Sequence, residues 1–492
     1  MKKHLLTLAC ACLAFAACDG LFPGDNNETP GLDELPEIGG NEPTKELAPD
    51  EQQAKLQSVG EKMLAEFPAE AFSNLAAIAE AFDQTYGYNE DYDLSALEEW
   101  AENSESVAYS HSYQDSYENN GVGFRRTNLL LLLSNHTGLF TFGANKVTVA
   151  PYNSTKAVFT VDGKTYEAEI TSSGKVTTAY FEFAYHNEWA SGDSNGDGLV
   201  NDDDKHVWDR VTKVTIGVPE SINVSITENG TPLASVQAIF SLAVTPEEFQ
   251  FSTDAFAVEY TTVINGYELK VSKTGYDGPA SKAQMMTTLS NGGKTLITYV
   301  ASADLHLKTD VITGSYTSGN ESSEQYDNYT SKEVVVEKFE NFKVAMDILG
   351  EIQVAGTCSD VNKLNTEIDA VYEALSKGDE ATATRYAENV NGLIDFGVYY
   401  DNGNNKQADI EFEYYYETNE WTDGEYTYAT TSWGFDPVIV FTNGNRNKIE
   451  DFFTEDAFGR LFESLDEFAD SYNTVFGYFL EVEEDLVPDY NN

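Results

Sequence analysis

KTLITYVASADLHLK, residues 294–308, is the stretch that decides the fold class. Every second residue from Ile297 to Leu307 is apolar, a period of two that is typical of a β-strand with one face on a core. The same alternation occurs in three further segments: 165–170, 222–227 and 267–272. Turn-forming residues separate such runs: Asp162-Gly163, Asn229-Gly230, Asn265-Gly266 and Asn291-Gly292-Gly293. The sequence therefore predicts a large antiparallel meander over residues 129–358.

Helical periodicity flanks and interrupts this strand pattern. Apolar residues spaced three and four apart predict helices in three regions: an N-terminal region at 49–128, a helical pair at 359–393 and an amphipathic C-terminal helix with a tail at 447–492. Further alternation predicts more strands over 394–446. The predicted fold class is α+β, a meander in the form of a curved sheet or half-barrel packed with these helices. Residues 49–480 are expected to form one compact body, with a split near 330–350 as the alternative.

The N-terminus, MKKHLLTLACACLAFAACDG, has the layout of an export signal. Lys2 and Lys3 precede an apolar run at 5–17 that is too short to span a bilayer as a permanent helix. Small residues come directly before Cys18, and an acidic segment rich in Gly, Pro and Asn follows. An ordinary signal peptide cleaved near Ala17 is one interpretation of this pattern.

The same residues resemble a bacterial lipobox, and the segment looks like the start of an outer-membrane lipoprotein of the Bacteroidota type. The resemblance implies removal of residues 1–17 as a signal peptide and acylation of Cys18. Residues 18–48 would then be a flexible lipidated tether. Acyl chains on Cys18 would hold the body to the outer membrane, at the cell surface or the periplasmic face.

Charge and cysteine content restrict the function. The formal net charge is −54, from 83 acidic and 29 basic residues, and a chain this acidic repels nucleic acid. Of the four cysteines only Cys358 would remain in the mature body, in a setting that favours a small buried side chain. Histidines and serines show no spacing typical of a zinc, Cys/His or serine-hydrolase site, and the sequence does not favour an enzyme.

Residues 193–204, DSNGDGLVNDDD, match the spacing of a calcium-binding loop. Gly198 at position 6 permits the sharp turn that such a loop needs. The ligand positions hold Asp193, Asn195, Asp197, Leu199 (through its backbone carbonyl), Asn201 and Asp204. The segment resembles the loop of dockerin-type calcium modules and EF-hands. It departs from them because position 12 is Asp, the preceding residues read as a strand, and no second copy occurs. We therefore predict a bound Ca²⁺ with a structural role.

An aromatic segment, residues 414–435, is the candidate binding region. Its rings lie among many carboxylates, the combination with which proteins commonly hold sugars. The candidate ligand-binding residues are Trp421, Tyr426, Tyr428 and Trp433, with Trp421 expected in a turn. Alternation also predicts that about half of the rings in this segment face the core.

Three function classes follow from these patterns. The first is a non-catalytic envelope component with a structural calcium site and an envelope-protein partner. The second is a glycan-binding surface lipoprotein that uses residues 414–435. The third, suggested by the fold class alone, is a carrier of an apolar ligand or lipid inside the curved sheet.

Overall fold

The computed structural model describes these residues: 47–66, 73–87, 91–100, 109–113, 121–123, 137–191, 206–243, 254–318, 325–401, 405–423, 426–441, 443–448 and 459. The helices are α1 (Pro49–Glu66), α2 (Ser73–Phe82), α3 (Val361–Ser376) and α4 (Glu380–Leu393), with a π-helical turn at Asp83–Gly87 and helical residues at 95–100.

The strands form one sheet, in which β3 and β5 pair in parallel and the other ladders are antiparallel. The strands are β1 (Tyr109–Tyr113), β2 (Gly121–Gly123), β3 (Gly138–Phe142), β4 (Val147–Ala150), β5 (Thr155–Val161), β6 (Lys164–Ser191), β7 (His206–Glu228), β8 (Thr231–Ala243), β9 (Ala255–Ile264), β10 (Tyr267–Asp277), β11 (Lys282–Asn291), β12 (Lys294–Ser318), β13 (Gln325–Ile348), β14 (Ile352–Asp360), β15 (Ile394–Tyr400), β16 (Asn405–Asp423), β17 (Tyr426–Phe441) and β18 (Arg446–Lys448). The prediction of a β-rich α+β fold built on a large antiparallel sheet is confirmed.

Short turns at one edge of the sheet, which we name the turn edge, join every second pair of consecutive strands from β5 to β14. Asp162, Asn229 and Asn265 lie there with φ of 50°, 47° and 49°, and each is followed by a glycine with positive φ. Two successive residues with positive φ form a hairpin turn whose twist matches that of the flanking antiparallel strands. Asn, Asp and Gly adopt positive φ more readily than other residues. These dipeptides therefore fix where each strand of the meander reverses.

Helix α1 crosses the strands along the turn edge. Its N-terminal end contacts β16, where the Leu47 N–H donates to Gln407 Oε1 at 2.9 Å. Its C-terminal end contacts β10, where the Tyr267 hydroxyl donates to the Glu66 carbonyl at 2.8 Å. From β16 to β10 there are six inter-strand spacings, about 29 Å, and an 18-residue helix is about 27 Å long. The helix therefore runs across seven strands.

The buried face of α1 forms the largest apolar cluster with the sheet. Leu56, Val59 and Met63 are buried there against residues from β6 to β17, including Ile170 and Ile222 on the first two of these strands. The helix is thus enclosed between two parts of the same sheet.

Two hairpins are much longer than the rest, β6–β7 and β12–β13. A bulge interrupts β6 between Ser173 and Val176, and another interrupts β12 between Ser302 and Asp304. Both bulges lie about ten residues from the turn edge, and such irregularities bend a strand. Beyond them the hairpins converge, and β6 pairs with β13 from Tyr185 to Ser191. We name the outer parts of these hairpins the arms.

Part of the N-terminal region differs from the prediction. Residues 109–113, within the region 49–128 that was predicted to be helical, form strand β1, which pairs with β7 and β2. Ser alternates with Tyr and His in this short segment, and β7 supplies the strand partner that makes the strand stable. The predicted C-terminal helix in 447–492 lies outside the described residues, apart from 447, 448 and 459.

Near the end of β13, a half-buried carboxylate should lower stability at neutral pH. Burial raises the pKa of the Asp347 carboxyl, although its Oδ1 accepts a hydrogen bond from the Gly350 N–H at 2.8 Å. A folded-state pKa above the unfolded value favours folding in acid, and this contribution is lost as the pH rises through the folded pKa. We expect Asp347→Asn to raise the urea midpoint at pH 7 and to leave it nearly unchanged in acid.

Asp304 provides the matched control, because its pKa is shifted in the opposite direction. Hydrogen bonds from Lys282 and from Asn341 Nδ2, the latter at 2.6 Å, lower the pKa of its carboxyl. Its stabilising contribution is present at neutral pH and is lost as the pH falls through the folded pKa. Asp304→Asn should therefore lower the midpoint at pH 7. A lowered midpoint for both variants at pH 7 would contradict the burial effect at Asp347.

Candidate functional site

The predicted aromatic segment forms most of the β16–β17 hairpin. Trp421 pairs with Tyr428 and Asp423 with Tyr426, so Trp421 lies within β16, which continues to Asp423. The expectation that Trp421 lies in the turn is therefore wrong, because strand pairing continues two residues further. Of Trp421, Tyr426 and Tyr428 the structure describes the backbone alone.

Trp433 lies in a different part of the same hairpin. It pairs with Tyr416, five positions from the pair formed by Trp421 and Tyr428. At about 3.4 Å per residue this is about 17 Å along the strand. The four candidate residues therefore belong to two separate places on the hairpin.

Helices α3 and α4 cover the hairpin face that carries Tyr416. Asp360 caps α3 by accepting from the Lys363 N–H, and Asp379 caps α4 by accepting from the Thr382 N–H. Buried residues of both helices pack with Phe435 and with the half-buried rings of β16: Phe412, Tyr414 and Tyr416. Phe435, Tyr414 and Tyr416 of the aromatic segment are therefore packed against the helices.

A side-chain amide fixes α4 to the sheet. Asn391 Nδ2 donates to the Phe412 carbonyl at 2.8 Å, and the Phe412 N–H donates to Asn391 Oδ1 at 2.8 Å. The amide thus reproduces the two bonds of a neighbouring strand at the point where β15 begins. The helices are held rigidly on the hairpin, which gives any surface at their margin a fixed shape.

Two large aromatic rings are exposed at that margin. Tyr372 of α3 is 39% exposed and Trp433 is 37% exposed. Their ring centroids lie 6.1 Å apart at an interplanar angle of 52°. The Tyr372 hydroxyl donates to the Phe435 carbonyl at 3.4 Å, and the Tyr372 ring meets Phe435 edge-on at 6.4 Å. We name Tyr372 and Trp433 the ring pair.

Sequence reasoning missed Tyr372 because it placed this segment in a helix whose apolar face was assigned to the core. The neighbouring Val371 is fully buried, whereas Tyr372 lies beside that face and contacts β17. The sequence signal that could have identified Tyr372 was a large aromatic residue directly next to a core position of a helix.

The other face of the hairpin is covered by charged side chains. Lys448 Nζ lies 4.5 Å from the centroid of the Tyr415 ring, and Arg446 forms ion pairs with Glu411 and Glu413. The Tyr415 ring also lies over Gly434, where an added Cβ would be 2.6 Å from the ring. Tyr415 is therefore occupied by intramolecular contacts, and the ring pair is the better candidate for a ligand.

The calcium loop 193–204 and Cys18 lie outside the described residues. The strands that flank the loop are described: Trp189 pairs with His206, and Ser191 pairs with Gln325 of β13. Within the described ranges there is no group of three or more His, Cys, Asp or Glu residues that could hold a metal ion. The calcium site remains a prediction at the end of the β6–β7 arm.

Cys358 is buried and 1% exposed, at the end of β14. Burial raises the pKa of its thiol, which keeps it protonated at neutral pH and unsuited to nucleophilic chemistry. Among the helices that the structure describes, none is long and apolar enough to cross a membrane.

The chain was compared with models of known protein families, with curated proteins and with solved structures, and none of these comparisons finds a match.

Proposed function

We propose that the protein is a non-catalytic, lipid-anchored component of the outer membrane. The observation that carries the proposal is the position of α1, which begins directly after the predicted tether and is fixed inside the sheet. Leu47 is bonded to Gln407, and the Gln52 side chain donates to the Leu47 carbonyl at 3.0 Å. Force on a lipid tether would therefore act on the core of the body and not on a loose end.

Ion pairs support the same conclusion. Lys55 pairs with Asp401 at 3.6 Å and Lys62 with Glu351 at 2.6 Å, each joining α1 to a turn of the sheet. Exposed pairs of this kind contribute about 0.2–1 kcal/mol each, so the packing of the buried face of α1 holds the attachment. Because the buried face of α1 packs with apolar side chains of the sheet at the turn edge, we do not propose carriage of an apolar ligand there.

The test of anchoring uses Cys18→Ala in the native host. We expect the unchanged chain to incorporate labelled fatty acid and to fractionate with the outer membrane. The variant should lose the label and leave the membrane fraction, because the acyl chains are the predicted attachment. Protease treatment of intact cells then distinguishes the two faces of the membrane. Membrane association and label retained in Cys18→Ala would contradict the proposal.

A glycan-binding role is the second candidate, and the ring pair is the observation that favours it. A rigid Tyr and Trp exposed side by side offer two faces on which the C–H groups of sugars can stack. The rings are inclined at 52°, so they fit a bent or branched chain better than a flat one.

We expect Trp433→Ala to weaken binding of a recognised polysaccharide about tenfold, equivalent to about 1.4 kcal/mol. Affinity electrophoresis against a panel of polysaccharides measures this effect. Tyr152→Ala is the matched control, because Tyr152 is also an exposed ring, 41% exposed, and lies beside β4, away from α3. Equal affinities of Trp433→Ala and the unchanged chain would rule out the ring pair as the binding surface.

We further propose that Ca²⁺ bound by loop 193–204 closes the end of the β6–β7 arm. The loop joins two strands that are paired up to Trp189 and His206, so a bound ion would hold their ends in register. A loop of this kind in a calcium-rich extracytoplasmic setting most often has a structural role.

A further inference from the structure

Strand β12 has one side without a neighbour over much of its length. It pairs with β11 as far as Asp304, and with β13 from Ile297 to Ser318. The Leu305 N–H donates to the Ser281 carbonyl at 2.8 Å. From residue 306 to 318, the side of β12 that faces away from β13 has no strand partner in the part of the chain that the structure describes. At about 3.3 Å per residue this edge is about 40 Å long.

Natural sheets rarely leave a long edge unprotected. Among the described strands, β4 has four residues and β18 has three, and short strands offer little backbone for pairing. The β12 edge lacks such protection, because residues 311–318 contain neither a charged residue nor a proline. Val311 on this segment is 54% exposed. An edge of this length and composition is a template for another strand.

The charge of the β12 edge indicates which kind of chain can supply the pairing strand. At a net charge of −54, two copies of the chain repel each other over most of their surfaces. Residues 306–318 carry one lysine, Lys308, and one aspartate, Asp310, which form an ion pair at 3.0 Å. The formal charge of the edge is therefore zero with His306 neutral. Here a second copy can approach without like-charge repulsion.

We propose that two copies of the chain pair through the outer edge of β12. The two strands lie antiparallel about a two-fold axis, so each copy presents the same segment to the other, as in other isologous interfaces. The Leu307 N–H already meets the Tyr276 hydroxyl, and the outward N–H and C=O groups from residue 308 to 318 then pair with those of the second copy. The sheets of the two arms become continuous across the dimer.

The test uses the full chain with Cys18→Ser, so that no lipid contributes to association. Light scattering after size-exclusion chromatography, over a range of protein concentrations, gives the oligomeric state. Val311→Glu adds a negative charge to the edge of each copy and should convert the dimer to monomer. Val336→Glu is the matched control, because Val336 is 47% exposed on β13, an inner strand of the same arm, and should remain dimeric.

Amide hydrogen exchange gives a second readout. Amides in 306–318 should exchange more slowly in the dimer than in Val311→Glu, while exchange elsewhere in the sheet stays the same. The proposal is overturned if the chain without the Val311 substitution is monomeric at every concentration. It is also overturned by a dimer that survives Val311→Glu with unchanged protection of 306–318. A monomer in which these amides are protected also overturns it, because another segment or protein then covers the edge.

Discussion

Leu56→Ala lowers the free energy of unfolding by about 2–5 kcal/mol, the largest effect that we expect from a single substitution. Leu56 lies on the buried face of α1, between β-strands that the sheet brings together from both ends. Truncation removes apolar contacts and leaves a cavity, because strands fixed by their hydrogen bonds cannot collapse onto the shorter side chain. Equilibrium unfolding in urea measures the change.

Gln57→Ala is the control for Leu56→Ala. Gln57 is the next residue of the same helix and is exposed, so its truncation should change the free energy of unfolding by no more than about 0.5 kcal/mol. If the two variants unfold at the same urea concentration, α1 does not pack in the core. The account of how the tether is attached to the body would then be wrong as well.

Removal of calcium lowers the free energy of unfolding by about 2.7 kcal/mol when the ion is initially at a hundredfold excess over its dissociation constant. The stabilisation arises by mass action, since loop 193–204 can gather its oxygen ligands only in the folded chain. We expect the melting temperature to fall on addition of chelator and to recover with Ca²⁺. Differential scanning calorimetry of the chain carrying Cys18→Ser measures both steps.

Two alanine variants of the loop separate ligation from loss of charge. Asp197→Ala removes the side chain at ligand position 5 and should abolish the response to Ca²⁺. Asp203→Ala removes the same charge from position 11, which is not a ligand position, and should retain the response. Equal responses of the two variants would show that the acidic loop attracts the ion without the predicted coordination.

Much of the sheet could be predicted because its signals are local. The alternation in residues 294–308 gives the strand, and Asn265-Gly266 gives a turn whose φ values few other dipeptides adopt. The caps of α3 and α4, Asp360 and Asp379, are equally local. Each feature depends on residues within one turn or one strand.

The candidate site was less predictable, because its parts are distant in sequence. Trp433 could be named from the aromatic segment, whereas Tyr372 is far away in the chain and meets it through packing of α3 on β17. Trp421 was expected in a turn, and pairing between β16 and β17 extends the strand past it. Cross-strand pairing overrides local turn preference when it adds further hydrogen bonds.

The sequence by itself determined the strand periodicity, the hairpin turns, the acidic surface, and the predicted lipid and calcium sites. These depend on neighbouring residues and on composition, which act the same way in any fold. Only the tertiary structure decided that α1 crosses seven strands, that β6 and β13 meet beyond their bulges, and that Tyr372 lies beside Trp433. Such contacts join residues far apart in the chain, and their free energy depends on the shape of the whole sheet, which no local pattern records.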